Sequence, residues 1–553
     1  MKFLSKYKNP RSPEEKKKRK TDWLLLALSG VLLGISFPPV PFPFTILIFF
    51  GFIPYFIVLQ NRNSLASINR ATFLMNFVFC AVTVYWVGSW QSEADLFLMV
   101  AGVALLFALP CVLLIPSTLL YLAKKLFPKI NALYLFPLFW VTAEYLLTLT
   151  DLQFPWLTLG QGLAKFTLFI QGADIVGTFG LSLVVLYINV FLFQFYKNYK
   201  IEKKKFSLSL TLALIIFFGF LIYGIVRINS FELSEKKVRV GLIQPNLNPW
   251  DKWETGNLSE LVGLYLDISN QAVKNGAEII FWPETALPVY AFGGTFRNIT
   301  DSIHNFLDKN NVTLITGMPD IRYFYDKNNI PENAKYIEQN DLYYGTYNAV
   351  LLLTPHSREI QRYGKMKLVP MGERVPFVDQ FKFLGDVFKW GVGITGWNVG
   401  QDTTVFKIVL NNNSDTIGIS GLVCYESIFP VFVPNFVIRG AEMISVVTND
   451  SWYGKSSGPY QHKEFVVLRA VENRRSIVRC ANGGVSCIIN PLGETESETE
   501  LFTQTVLVGD VSLQNEITFY SGNPSIIPVL SSVFSFWIFG MNILLWLKNK
   551  FKM

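Results

Sequence analysis

The sequence predicts a polytopic α-helical membrane domain of eight transmembrane helices joined to a layered α/β body. Three observations carry this. Of 553 residues, 51% are hydrophobic and only 16% charged, too apolar a balance for a wholly water-soluble chain of this size. The long apolar runs gather before residue 230 and after residue 524. Between them, short β-rich runs alternate with amphipathic segments.

The apolar runs cover 23–39, 41–60, 71–90, 97–122, 131–149, 172–196, 206–226 and 525–547. Crossing the hydrocarbon core takes about 20 apolar residues, which most runs supply and the first barely does. Lysines ahead of the first run mimic a secretory signal, but "SFPPVPFPF" offers no small-residue cleavage site and another apolar run follows at once. The tail, the loops near 61–70, 123–130 and 197–205, and the terminal "LKNKFKM" carry 9, 2, 3, 5 and 3 Lys or Arg. The intervening loops near 91–96 and 150–171 carry none and one. This positive-inside pattern predicts cytoplasmic termini and a body on the periplasmic or outer face of a bacterial inner (plasma) membrane.

The expected organisation is a basic tail (1–22), a membrane domain with seven helices (23–230), an extracytoplasmic body (237–515), a last helix (525–547) and a short tail (548–553). Only Glu144 and Asp174 approach the interior of a span, and both fall near helix ends, so a transport pathway has little support. Eight helices exceed what anchoring needs; a lipid substrate drawn sideways from the bilayer would account for them.

The formal charge of +8 comes from short clusters such as "KKKRK" (16–20) and "IEKKKF" (201–206), which membrane topology explains better than nucleic-acid binding. Cys80, Cys111, Cys424, Cys480 and Cys487 form no CxxC pair or His/Cys cluster, so neither a zinc site nor a disulfide framework is expected. A Cys480–Cys487 bridge would require adjacent strands to align the two. No GxGxxG, P-loop, HExxH or GxSxG occurs, and neither a cofactor nor a metal is expected.

In the body, strands are expected at 237–245, 278–284, 312–318, 348–355, 359–365, 416–426, 443–450, 477–482, 485–491 and 506–513, with helices near 257–275, 294–309, 428–438 and 459–474. Strands with few polar interruptions are usually buried on both faces, which favours a layered α/β arrangement. About 280 residues suffice for a core of its own.

Three stretches place a reactive side chain at the end of an apolar strand, where loops build sites. They are "FWPETALP" (281–288) with Glu284, "YGKMKLVPMGERVP" (363–376) with Lys365, Lys367 and Glu373, and "GLVCYESIFP" (421–430) with Cys424. A cysteine nucleophile needs a base for its proton and a cation or N–H donors for the oxyanion formed on carbonyl attack. Of the three histidines, His304 and His356 read as surface residues and His462 as a structural hydrogen-bonding residue, so a carboxylate and a lysine must serve.

In order, "PET", "YGKMKLVPMGE" and "CYE" resemble the Glu/Lys/Cys triad of the carbon-nitrogen hydrolase (nitrilase) superfamily. With "TNDSWYG", "GPYQH" and "RAVENRR" added, the set is closer still to the bacterial apolipoprotein N-acyltransferase family, and the eight-span layout extends the likeness to essentially the whole chain. Singly, Cys424 reads as a buried small hydrophobe, Glu284 as a turn acid, Lys365 as a strand-end charge, Glu426 as a salt-bridge partner and Glu373 as a partner of Arg374. Only the ordered series gives them roles. The resemblance implies an α-β-β-α sandwich with Glu284 as general base, Lys365 as oxyanion stabiliser and Cys424 as nucleophile. Tyr363, Leu368, Val369 and Pro370 fix the register that favours Lys365 over Lys367. Glu373, Tyr425, Glu426 and Trp253 match further positions used around the family's site, while Met371 replaces the family's usual phenylalanine.

The chemistry implied is acyl transfer from a membrane phospholipid through a cysteine thioester to the N-terminal amine of S-diacylglyceryl-cysteine apolipoproteins. Nucleic acid plays no part, and a monomer is the default. The apolar segment 381–394 is expected to be either a membrane-dipping arm, with Phe388 and Trp390 at the lipid, or internal packing. The rival readings are a membrane-tethered amidase hydrolysing a C–N bond, and a non-catalytic scaffold or transporter.

Overall fold

A computed structural model describes residues 12–92, 94, 96–203, 207–250, 258–326, 328, 330–331, 334–378, 380, 396–410 and 415–551. Among the described residues, six helical segments are long and apolar enough to cross a membrane: Phe42–Leu59, Leu65–Thr83, Leu98–Leu126, Ala173–Lys200, Leu208–Ser230 and Ile526–Phe551. Two of the eight expected spans fall short of that measure. Ala132–Leu146 is apolar but shorter. The helix Pro13–Gly34 begins in the basic cluster, capped at its start by Ser12 and Glu15.

Among the described residues, thirteen strands form the body: β1 (Lys237–Gln244), β2 (Ile279–Trp282), β3 (Thr313–Phe324), β4 (Lys335–Ile337), β5 (Leu342–Leu353), β6 (Ile360–Gly364), β7 (Val405–Val409), β8 (Thr416–Val423), β9 (Met443–Thr448), β10 (Ser476–Ala481), β11 (Cys487–Ile489), β12 (Thr495–Glu498) and β13 (Thr505–Ser512). One sheet runs β13-β1-β2-β3-β5-β4 with β6 on β5; the other runs β12-β11-β10-β9-β8-β7. Parallel pairs β1/β2, β2/β3, β8/β9 and β9/β10 lie at their centres, as strands buried on both faces require.

Alternate residues of each strand serve two cores. Val350 and Leu352 of β5 pack between the sheets with Phe406, Ile419 and Val446, while Ala349, Leu351 and Leu353 face helices Leu258–Lys274 and Arg297–Asn310. Helix Ser457–Asn473 covers the second sheet, giving helix, sheet, sheet, helix.

Several expectations need correction. β4, β7 and β12 were not foreseen: they are short and lie at sheet edges, and "TESE" has no apolar residue. In place of a helix over 428–438 there is a tight turn at Cys424–Ile428 and one helical turn at Pro434–Val437, where Pro430 and Pro434 prevent continuity. His304 is buried beside Phe292, because its helix presents Ile303, His304 and Leu307 inward. Cys480 and Cys487 are free and buried; the antiparallel register sets Cys487 opposite Arg479.

The body and membrane helices share a polar seam. Arg474 donates to Asp174 at 2.7 and 3.0 Å and to Gln171 Oε1 at 2.7 Å. Gln461 Oε1 accepts from the indoles of Trp86 and Trp156 at 3.0 and 2.7 Å. Asp174 thus serves docking, and Glu144 is likewise engaged, accepting from Trp140 Nε1 and the Leu159 N–H.

Candidate active site

Glu284, Lys365 and Cys424 come together where strands of both sheets end. Glu284 lies two residues beyond β2, in a turn pressed against β3 so closely that a Cβ on Gly317 would sit 2.5 Å from the Glu284 Cα. Lys365 follows β6 directly, its N–H donating to the Asn348 carbonyl oxygen at 2.8 Å. Cys424 follows β8 with φ +49°, a left-handed conformation that costs a non-glycine residue roughly 1–3 kcal/mol and presents the side chain at a sharp elbow.

The Lys365 ammonium is buried between two carboxylates, 2.8 Å from Glu373 and 3.4 Å from Glu284. Burial alone would lower it; the charges of Glu373, Glu284 and Cys424 outweigh that and hold it well above its ordinary value. Asn348 Nδ2 bridges the same carboxylates at 2.8 Å each, and the Asn449 N–H donates to Glu284 Oε2 at 3.1 Å. Glu373 also accepts from the Val369 N–H at 2.8 Å. The half-buried Cys424 thiol is pushed up by burial and by the Glu284 charge, against the pull of Lys365.

Around this centre, Glu426 is fully buried and accepts from Tyr363 OH, the Met366 and Lys367 N–H groups and the Val423 N–H, at 2.7, 2.7, 3.1 and 2.8 Å. It clamps the lysine turn to the cysteine elbow. Tyr425 OH donates to the Gln153 carbonyl oxygen at 2.8 Å, and its ring stacks at 6.5 Å on Trp156, both from the membrane domain. Trp253, Phe388 and Trp390 lie outside the described residues.

The sequence reading missed Asn348, whose signal was a lone amide entering the apolar run "NAVLLLTP". It also left out a relay on the other side of the elbow. His462 Nε2 lies 3.1 Å from the Cys424 carbonyl oxygen and 3.0 Å from Ser427 Oγ, while Nδ1 lies 2.8 Å from Asp450 Oδ1. Arg479 donates to Asp450 Oδ2 at 2.6 Å. Despite burial, Arg479 and His462 hold the Asp450 carboxyl far below its usual range. The Cys424 sulfur, an Asp450 oxygen and a His462 nitrogen lie within 4.8 Å of one another. Both Asp450 oxygens are already taken, Oδ2 by the Arg479 guanidinium and Oδ1 by His462 Nδ1, and a fixed cation stands beside them, so this set does not fit a metal.

Two sheets in an α-β-β-α sandwich, with a cysteine elbow facing a buried Glu/Lys pair, define a carbon-nitrogen hydrolase domain carried on apolar helices. The carbon-nitrogen hydrolase family profile matches residues 239–519, and that of the apolipoprotein N-acyltransferase N-terminal domain matches residues 29–191. A Chlorobaculum tepidum apolipoprotein N-acyltransferase is 32% identical, covering 92% of this chain and 93% of its own. One from Geobacter metallireducens is also 32% identical, covering 93% and 94%, and one from Rickettsia prowazekii is 29% identical, covering 86% and 89%. A crystal structure of an amidase from Nesterenkonia sp. aligns at 17% identity with a TM-score of 0.36, covering 53% of this chain and 96% of its own. The chain belongs to the apolipoprotein N-acyltransferase family.

Proposed function

We propose that this protein transfers an acyl chain from a membrane phospholipid to the N-terminal amine of S-diacylglyceryl-cysteine apolipoproteins, with Cys424 as nucleophile, Glu284 as base and Lys365 as oxyanion partner. The observation that carries the reading is the meeting of these three side chains beside a seam with membrane-domain residues Gln153 and Trp156.

In the first half-reaction Glu284 takes the thiol proton as sulfur attacks the ester carbonyl. A raised thiol makes this concerted transfer preferable to a standing thiolate. An ammonium has three donors; Glu373 and Glu284 engage two, leaving one for the oxyanion. Collapse breaks the C–O bond, the leaving alkoxide takes the proton from Glu284, and lysophospholipid departs from a thioester. In the second, the apolipoprotein amine attacks the thioester and loses a proton to Glu284, the C–S bond breaks, and the thiol is restored beside a new amide. A site that excludes water favours the amine over hydrolysis. The match to the acyltransferase N-terminal domain disfavours the simple amidase alternative.

In the same reading the chain crosses an inner membrane eight times with both termini cytoplasmic, seven crossings before residue 230 and one at 525–547. The catalytic domain, 237–515, stands on the outer face, and the protein acts as a monomer. Supplying purified protein with labelled phospholipid and a diacylglyceryl-cysteine peptide tests the activity: labelled N-acyl peptide and lysophospholipid in equal amounts support it. Free fatty acid without amide product would favour hydrolysis.

A further inference from the structure

Beyond the Tyr425 wall, a cavity of about 160 Å³ opens at the seam between the membrane domain and the body. Tyr145 and Thr148, at the end of a membrane-domain helix, face Lys367, Phe429, Phe432 and Asn435 of the body across it. Tyr425 and Phe429 are in ring contact, with centroids 5.3 Å apart, so the Phe429 wall of the cavity adjoins the catalytic elbow at Tyr425.

Lys367 is the charged residue in this lining. Its backbone is pinned through the N–H bond to Glu426, and its ammonium lies 5.3 and 6.0 Å from the Phe429 and Phe432 ring centroids. Among the described residues its ammonium joins no ion pair. Glu426 is the carboxylate felt there, and both its oxygens already take N–H or O–H donors. Burial pulls the ammonium below its ordinary value, which means the site holds a cation short of solvation and of a counter-ion. Two aromatic faces supply part of that solvation, as cation–π contacts do, and leave the far side of the ammonium open to an anion.

We propose that this cavity receives the phosphodiester of the donor phospholipid, with Lys367 as its counter-ion. The proposal rests on the reading of a phospholipid donor. The placement fits one lipid molecule: its phosphate and ester are separated by a glycerol backbone, and the cavity is separated from Cys424 by Tyr425 and Phe429. A lipid held at both points would present its ester to the sulfur in one orientation, so that part of the phosphate binding energy is spent on positioning.

The test compares two acyl donors on the full-length protein: a phospholipid, and a p-nitrophenyl ester of the same fatty acid, which has no phosphate. Acyl-enzyme formation is followed for wild type, Lys367→Gln and Lys367→Arg. A charge-assisted contact predicts that Lys367→Gln lowers kcat/KM for the phospholipid about tenfold more than for the ester, mainly through KM, and that Lys367→Arg restores most of the loss. Equal losses on both donors, or none, would overturn the proposal. Inorganic phosphate is the second probe: if it inhibits wild type while the donor ratio is unmoved by Lys367→Gln, the site takes free anions and the lipid assignment fails. Wild type that is acylated by the ester but never by phospholipid would instead sink the donor reading itself.

Discussion

Lys365 and Glu373 form a buried ion pair at 2.8 Å, shorter than the 3.4 Å that separates Lys365 from Glu284. The lysine is therefore anchored chiefly by a carboxylate outside the triad, which leaves Glu284 freer to exchange a proton. Glu373→Ala leaves Lys365 and Asn348 without that acceptor. Breaking a buried pair costs about 3–5 kcal/mol, so a clear loss of thermal stability is expected together with at least a hundredfold fall in acylation rate. Wild-type rates in a folded variant would remove Glu373 from the account.

Asn348 bridges Glu284 and Glu373 at 2.8 Å each. Asn348→Asp keeps its volume but sets a third carboxylate against those two. Acylation should fall more than in Asn348→Ala, measured as the single-turnover rate, because like charges at hydrogen-bond distance force one group to hold a proton. Equal rates in the two variants would mean that the amide contributes bulk alone.

The His462 relay holds the Cys424 carbonyl oxygen, and with it the elbow at φ +49°. His462→Ala should slow acylation and leave KM for the donor little changed, with His462→Gln recovering part of the loss by donating to the same oxygen. A KM effect alone would point to a role in substrate contact.

Glu426 is a pH-sensitive element. Burial raises its carboxyl from 4.5 to about 7, against the pull of its hydrogen bonds and of Lys365. The folded state then holds a proton that the unfolded chain releases, so stability declines as pH rises through that window, by about 3 kcal/mol at roughly 1.4 kcal/mol per unit. Unfolding profiles between pH 4.5 and 7 should slope downward in wild type and less steeply in Glu426→Gln. The same slope in both would assign the effect elsewhere.

Much of the body was legible because buried strands are written as unbroken apolar runs and because Glu284, Lys365 and Cys424 sit where such runs stop. β4, β7 and β12 are edge strands of three to five residues, too short to register, and β12 is polar throughout. Asn348, Asp450 and Arg479 were hidden for a different reason: each gains its place through partners brought together by sheet packing, far off in the chain. The same holds for Gln153, Trp156 and Gln461, whose pairing across the seam depends on how helices dock against the body. His304 was misplaced because polar neighbours masked the inward stripe of its helix.

The central claim is that Cys424 carries the acyl chain between donor and acceptor. Intact-mass measurement of the purified protein after incubation with a phospholipid, without acceptor, tests it most directly. The account predicts a mass increase of one acyl group, mapped to Cys424, discharged by a diacylglyceryl-cysteine peptide and absent from Cys424→Ala. Amide product formed by Cys424→Ala at the wild-type rate, or an adduct mapped to another residue, would contradict it.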